Sequence, residues 1–191
     1  MELTQSHIVA GLWIFFWLYW LAASLSVNKM RKREPMGQRL GFLLILAAGC
    51  FILIHAGERF GIPNGRFVPP LPWIKWLGIA LTAAGIAFAI WARNHIGKYW
   101  SASVSLREGH ELIRSGPYAH IRHPIYTGIL LGIAGTVLWA GTYGALAVLA
   151  INVIGLGFKA KKEEALLAGE FGPAFDEHRR HTGFFLPRFS A

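Results

Sequence analysis

The 191-residue chain has little charge, little acid and almost no cysteine. Charged residues make up 15% of it, against roughly 25% in an ordinary soluble domain. That shortfall argues against a soluble single domain with a solvated surface. Only 10 acidic residues stand against 19 Lys and Arg, a net charge of +9 that in a soluble chain would point to nucleic acid. Here the basic residues fall mostly between apolar blocks, as in membrane proteins oriented by positively charged cytoplasmic loops, so no nucleic-acid partner is expected. The one cysteine, Cys50, excludes an internal disulfide or a thiolate metal cluster and leaves the redox compartment open. No repeat at a solenoid period and no low-complexity tract is found. Residues 1–7 carry Glu2 and no Lys or Arg, so the apolar block behind them reads as a retained span rather than a cleaved signal peptide.

What the chain has is apolar surface, 54% of its residues, gathered in blocks. Residues 8–27, rich in aromatics (Trp13, Phe15, Phe16, Trp17, Tyr19, Trp20), supply the roughly 20 residues that cross a ~30 Å hydrocarbon layer. Further spans are expected over 40–57 and 73–92. The loop 28–39 nets +4 and the segment 93–122 nets +3. Residues 58–72, broken by Pro63, Asn64, Gly65, Pro69, Pro70 and Pro72, net only +1. Two more apolar stretches, 124–140 and 144–158, flank Gly141-Thr142-Tyr143-Gly144 and reach only about 24 Å each. They read as a short, tightly packed helical hairpin, with Gly128 and Gly132 as a small-residue face for close approach. The tail, 159–191, begins helical and ends in an extended Phe184-Phe185-Leu186-Pro187 segment apolar enough to dock on the bundle. The expected fold is therefore all-α and polytopic, with about five transmembrane helices, a connecting segment and a C-terminal helix. Residues 1–93 would form three spans and 94–191 a second, integrated half of connecting segment, hairpin and tail. With five crossings, the charge counts place the N-terminus outside and the connecting segment and tail in the cytoplasm.

Polar chemistry collects in two places. Pro124 suits the first position of a helix, since it has no N–H to lose there, and Arg122 and His123 flank a helix start whose N–H groups favour an anion. Tyr126 and Thr127 would face neighbouring helices one turn in. In the second place, Lys159 and Glu163 stand four residues apart on one helix face, beside Glu164. Each feature has a plainer reading. Arg122 would only snorkel to anionic headgroups, His123 would cap a helix, Glu163 and Glu164 would belong to a solvated charged helix, and His55 and His95 would be interfacial. His178 and His181, three apart without a third ligand, are weak evidence for metal, and no metal is expected.

The run HELIRSGPYAHIRHPIYTG, followed by EEALLAGEFG and a terminal LP, resembles the isoprenylcysteine carboxyl methyltransferases and related membrane phospholipid methyltransferases. The resemblance covers roughly residues 100–187. It implies an integral membrane enzyme that takes S-adenosylmethionine from the cytoplasm and a lipophilic acceptor from the bilayer. It also implies cofactor contacts at His110, Glu111, Leu112, Ile113 and Tyr118, at His123, Pro124, Ile125 and Tyr126, and at the acidic Glu163. Lys159 stands where the best-known members carry a substrate-facing Arg; the charge is kept but the bidentate fork is not. Phe175 and His178 stand where two tyrosines are usual.

Such a cofactor needs an anion site, a carboxylate for its cation and apolar or aromatic walls, and these residues can supply them. Methyl transfer then needs alignment and exclusion of water. A carboxylate acceptor, with a pKa near ~4, needs no base, whereas an amine near ~10 must first lose a proton, to Glu164 or a histidine. Arg122, Lys159 and Glu164 are accordingly the catalytic candidates. Carboxyl methylation of an isoprenylcysteine-like acceptor is the leading reading. Phosphatidylethanolamine N-methylation, an NADPH-dependent membrane reductase and a non-catalytic membrane scaffold are the rivals.

Overall fold

The computed structural model describes residues 2–25, 65–97 and 112–189. The expected span 40–57, Cys50, His110 and Glu111 lie outside them. The described residues are helical with no extended strand, only two isolated bridges. Helix α1 is Glu2–Leu25, α2 Pro72–Ile96, α3 Pro124–Ala140, α4 Tyr143–Phe171 and α5 Pro173–His181, with a 3-10 turn at Gly116–Ala119 before α3. Within α1, residues Thr4–Ala23 are long and apolar enough to cross a membrane, as are α2 and α4; α3 is apolar but shorter.

Helix starts follow from local sequence. Prolines open α2, α3 and α5, where the missing N–H costs nothing. Thr142 caps α4 by accepting from the Ala145 N–H at 3.3 Å. Between α3 and α4 the chain reverses through Gly141, whose φ of 68° is the left-handed conformation that glycine takes without a Cβ penalty.

The core is a seam of small residues between α2 and α3, which run antiparallel. A Cβ on Gly85 would lie 2.2 Å from the Gly132 backbone nitrogen, and one on Gly128 would lie 2.5 Å from that of Ala89. Gly78 and Gly135 meet in the same way further along. The fully buried Thr82 hydroxyl bonds to Gly78 O at 2.9 Å and lies 3.2 Å from both Gly132 O and the Thr136 hydroxyl; Trp13 of α1 donates to that hydroxyl at 3.0 Å. Close backbone approach and interhelical hydrogen bonds of this kind hold helices together where lipid removes the hydrophobic drive. Phe16 of α1 packs on Ile86 and Ala89 of α2, while Arg93 donates to Ala23 O at 3.1 Å and Tyr19 bonds to Asn94. Helices α1 and α2 thus run parallel, the direction that the five-crossing scheme requires.

Two expectations are corrected. The glycine face of α3 meets α2, not its hairpin partner α4, because Gly78, Thr82 and Gly85 on α2 offer the complementary groove. The second arm of the hairpin does not end near Phe158 but runs 29 residues to Phe171, about 43 Å. No proline or glycine break interrupts 159–171 strongly enough to stop it, so the charged start of the tail is the last part of the same helix. Helix α4 turns Asn152, Leu156 and Ala160 inward and leaves Ile151, Val153, Ile154 and Phe158 exposed, as a lipid-facing helix would.

Replacing Gly85 by Ala is expected to overpack the seam and cost about 1–3 kcal/mol, visible as a lower midpoint of thermal unfolding in detergent. Gly157→Ala, with nothing within 4 Å of the new methyl, should hold or raise the midpoint through helix propensity. Equal midpoints for the two variants would refute the seam.

Candidate functional site

The seam brings the C-terminal end of α2, the start of α3, the charged part of α4 and the tail to one end of the bundle. There His123, just before α3, is buried between two carboxylates of α4. Its Nε2 lies 3.2 Å from Glu164 Oε1 and its Nδ1 3.7 Å from Glu163 Oε2. Tyr126, one turn into α3, donates its hydroxyl to Glu163 at 2.5 Å and stacks its ring on His123 at 5.6 Å. The Lys159 ammonium lies 5.4 Å from the centre of the Tyr126 ring. One carboxylate pair, one imidazole, one phenol and one ammonium therefore share a single mouth.

Arg122 is turned inward rather than snorkelling. Its Nε bonds to Glu164 at 2.6 Å, and its Nη1 bonds to Arg179 O at 3.2 Å and to Thr182 O. Beside this helix start the tail's own carbonyls take the N–H groups that just precede the helix. Arg122 N–H donates to Gly183 O at 2.8 Å and His123 N–H to Phe184 O at 3.3 Å. The strap is fixed on its other side by Gly183 N–H to His120 O at 2.9 Å and by the Thr127 hydroxyl to Phe185 O at 2.7 Å. Gly183 is required here, since a Cβ would fall 1.8 Å from Leu186 O. The strap lays Phe184 and Phe185 against His123, with ring centres 5.1 and 6.2 Å away.

The remaining candidates line the neighbourhood of this mouth. Tyr118 is buried with Ile125, Tyr126, Ala92, Leu156 and Ala160, and its hydroxyl reaches Ala92 O at 3.4 Å. Burial, and after it the Glu163 charge, push that hydroxyl well above the usual tyrosine range, so it stays a neutral phenol. Ile113 packs against the same cluster, Leu112 is half-buried and Pro124 is fully buried. His95 holds the connecting turn, with Nε2 2.9 Å from the Ser115 hydroxyl. No cluster of three metal-ligating side chains is found among the described residues. Phe184, Phe185, Thr182 and Gly183 were not singled out as site residues by sequence; their signal was only the apolar character of the tail end.

The bundle and its charged mouth define a polytopic integral membrane protein with a titratable cluster at one end. Residues 76–169 match the isoprenylcysteine carboxyl methyltransferase (ICMT) family. It is 36% identical over 121 residues to the cobalt-zinc-cadmium resistance protein CzcN of Cupriavidus metallidurans, covering 62% of this chain and 53% of that one. It is 28% identical over 81 residues to the protein-S-isoprenylcysteine O-methyltransferase of Schizosaccharomyces pombe, covering 41% of this chain and 34% of that one. Its fold is similar to the solved structure of the eukaryotic intramembrane Ras methyltransferase ICMT, with a TM-score of 0.56 and 17% identity over 83% of this chain and 56% of that one. The matches thus span about half, or less, of these proteins' own lengths.

The stability of this end should depend on pH through His178, which stands buried on α5. Burial, then Arg114 and Arg122, lower its pKa from 6.5 to about 4. Between those values the unfolded chain binds the extra proton and the folded one does not. Its contribution is therefore complete above about pH 6.5 and is lost as pH falls toward 4. In detergent, His178→Asn should flatten the acid-side fall in unfolding midpoint relative to wild type; parallel curves would contradict the assignment.

Proposed function

We propose that this chain is an S-adenosylmethionine-dependent methyltransferase acting on a lipophilic acceptor that already carries a negative charge, a carboxylate of the isoprenylcysteine kind. The carrying observation is His123 held between Glu163 and Glu164, with Tyr126 on Glu163 and Lys159 above the Tyr126 ring.

The donor set fits the cofactor. Glu163 offers a carboxylate to a cation, Tyr118, Tyr126, Phe184 and Phe185 offer aromatic walls, and Leu112, Ile113 and Ile125 offer apolar ones. His123 and the backbone at Pro124, with His110 and Glu111 as the family resemblance implies, complete the holding set. When bound, the cofactor supplies a methyl group on a sulfonium. What the chain supplies is position and dryness. Tyr126 and His123 orient Glu163, and Arg122 orients Glu164 while tying down the strap whose phenylalanines exclude water from the mouth.

The contacts favour an ionised acceptor over an amine. Glu164 is engaged by Arg122 and His123, and Glu163 by Tyr126 and His123, so each carboxylate gives up a partner before taking a proton. Lys159 adds a cation beside the mouth to attract an anionic acceptor. In this reading Lys159 touches the acceptor, whereas Arg122 and Glu164 are positioning residues. The charge asymmetry between the ends of the bundle, +3 over 93–122 against +1 over 58–72, favours the cytoplasm as the side from which the cofactor enters.

Isothermal titration of the detergent-purified protein should give binding of S-adenosylhomocysteine and none of NADPH; the reverse would make it a reductase. Glu163→Gln should weaken that binding about 10-fold or more, the scale of a lost charge-assisted hydrogen bond, and Tyr126→Phe by less. Lys159→Ala should leave binding intact and lower turnover. Unchanged binding and turnover in all three variants would remove these residues from the site.

A further inference from the structure

The strap that follows α5 has two sides, and the mouth uses only one of them. Phe184 and Phe185 face His123, but Leu186 and Phe189 point outward, 77% and 74% exposed, on a segment that belongs to no spanning helix. Phe189 is not a loose end: its ring lies 4.9 Å from that of His120, and Arg188 N–H bonds to His120 O at 3.0 Å. Exposed Arg188 stands between the two apolar side chains, and the last turn of α5 adds exposed Arg179, Arg180 and His181. Acidic residues nearby are Asp176, paired with Arg179 at 3.0 Å, and Glu177.

Depth decides what can cover this side. Helix α3 has 17 residues, about 25 Å, and the reversal at Gly141 marks its far end. That length is less than the ~30 Å of the hydrocarbon layer, so the start of α3 lies at the edge of the layer and not beyond it. The strap is bonded to that start through Arg122, His123 and Thr127. Leu186 and Phe189 are therefore held at headgroup depth, where apolar side chains enter the acyl boundary while flanking guanidinium groups reach phosphates.

We propose that residues 186–189, together with Arg180, form an interfacial anchor that seats in an anionic leaflet, Leu186 and Phe189 entering the acyl boundary and Arg180 and Arg188 pairing with anionic headgroups. This placement follows from the fold and holds whatever reaction the mouth performs. It makes the bilayer surface the outer support of the strap, and so of the aromatic wall on His123.

The test is spin-label accessibility in the full chain. With Cys50 replaced by Ala, Leu186→Cys and Phe189→Cys each take one nitroxide, and the protein is placed in nanodiscs of phosphatidylcholine alone or with phosphatidylglycerol added. Power saturation should show oxygen exceeding a water-soluble nickel chelate several-fold at both positions, unlike a label at exposed Glu170→Cys. The ratio should rise with phosphatidylglycerol, and that rise should vanish in Arg180→Gln/Arg188→Gln. Chelate access equal to the Glu170 position would mean that the strap is in water. Shielding from both reagents would mean that a protein surface covers it. A ratio indifferent to phosphatidylglycerol would remove the anionic headgroup. Each of these three results overturns the proposal.

Discussion

Backbone contact between α2 and α3 sets the position of everything that carries chemistry. Because Gly78, Gly85, Gly128 and Gly135 have no side chains, the two helices touch main chain to main chain, and Thr82 locks the contact with hydrogen bonds across it. This registers the start of α3 against the end of α2, bringing Tyr118 onto Ala92 and leaving Arg122 and His123 at the mouth. A wider separation would move His123 away from the glutamates that α4 presents. Small residues far from the site thus act on it through geometry alone.

The mouth is built by charges that satisfy one another. His123 faces two carboxylates, one of which is also held by Arg122 and the other by Tyr126. Such a network is costly to break at one point, since each removed partner leaves another group buried and unmatched. It is also preorganised, so a bound cation would meet a carboxylate already fixed in place. Arg122 joins this network to the strap, which lets the tail's aromatic side chains become part of the wall.

Much of this was legible in the sequence, for physical reasons that can be named. Spans show themselves by length and apolarity, Pro124 announced the start of α3, and Gly141-Thr142 announced the reversal after it. The HELIRSGPYAHIRHPIYTG run and the paired glutamates of α4 contain residues that the structure brings together, Tyr118, His123, Tyr126, Lys159, Glu163 and Glu164. The glycines of α3 signalled close packing, but a small-residue face does not say which neighbour it fits. That information lay on α2, in Gly78 and Gly85, 57 residues before Gly135 and 43 before Gly128 respectively. The end of α4 was misplaced because hydropathy falls at Lys159 while helix propensity does not. The partnership of Arg122 with Glu164 and the tail carbonyls had no local signal, since it joins three segments distant in the chain.

The proposed methyl transfer to an ionised, lipid-borne acceptor is decided by the chemistry of its product. The protein in vesicles would be given methyl-labelled S-adenosylmethionine with native lipids and with a prenylated cysteine analogue. The expected product is lipid-soluble label that base releases as volatile methanol, formed by wild type and sharply reduced in Lys159→Ala. Base-stable label on an amine lipid, or no transfer by a protein shown to bind S-adenosylhomocysteine, would contradict it.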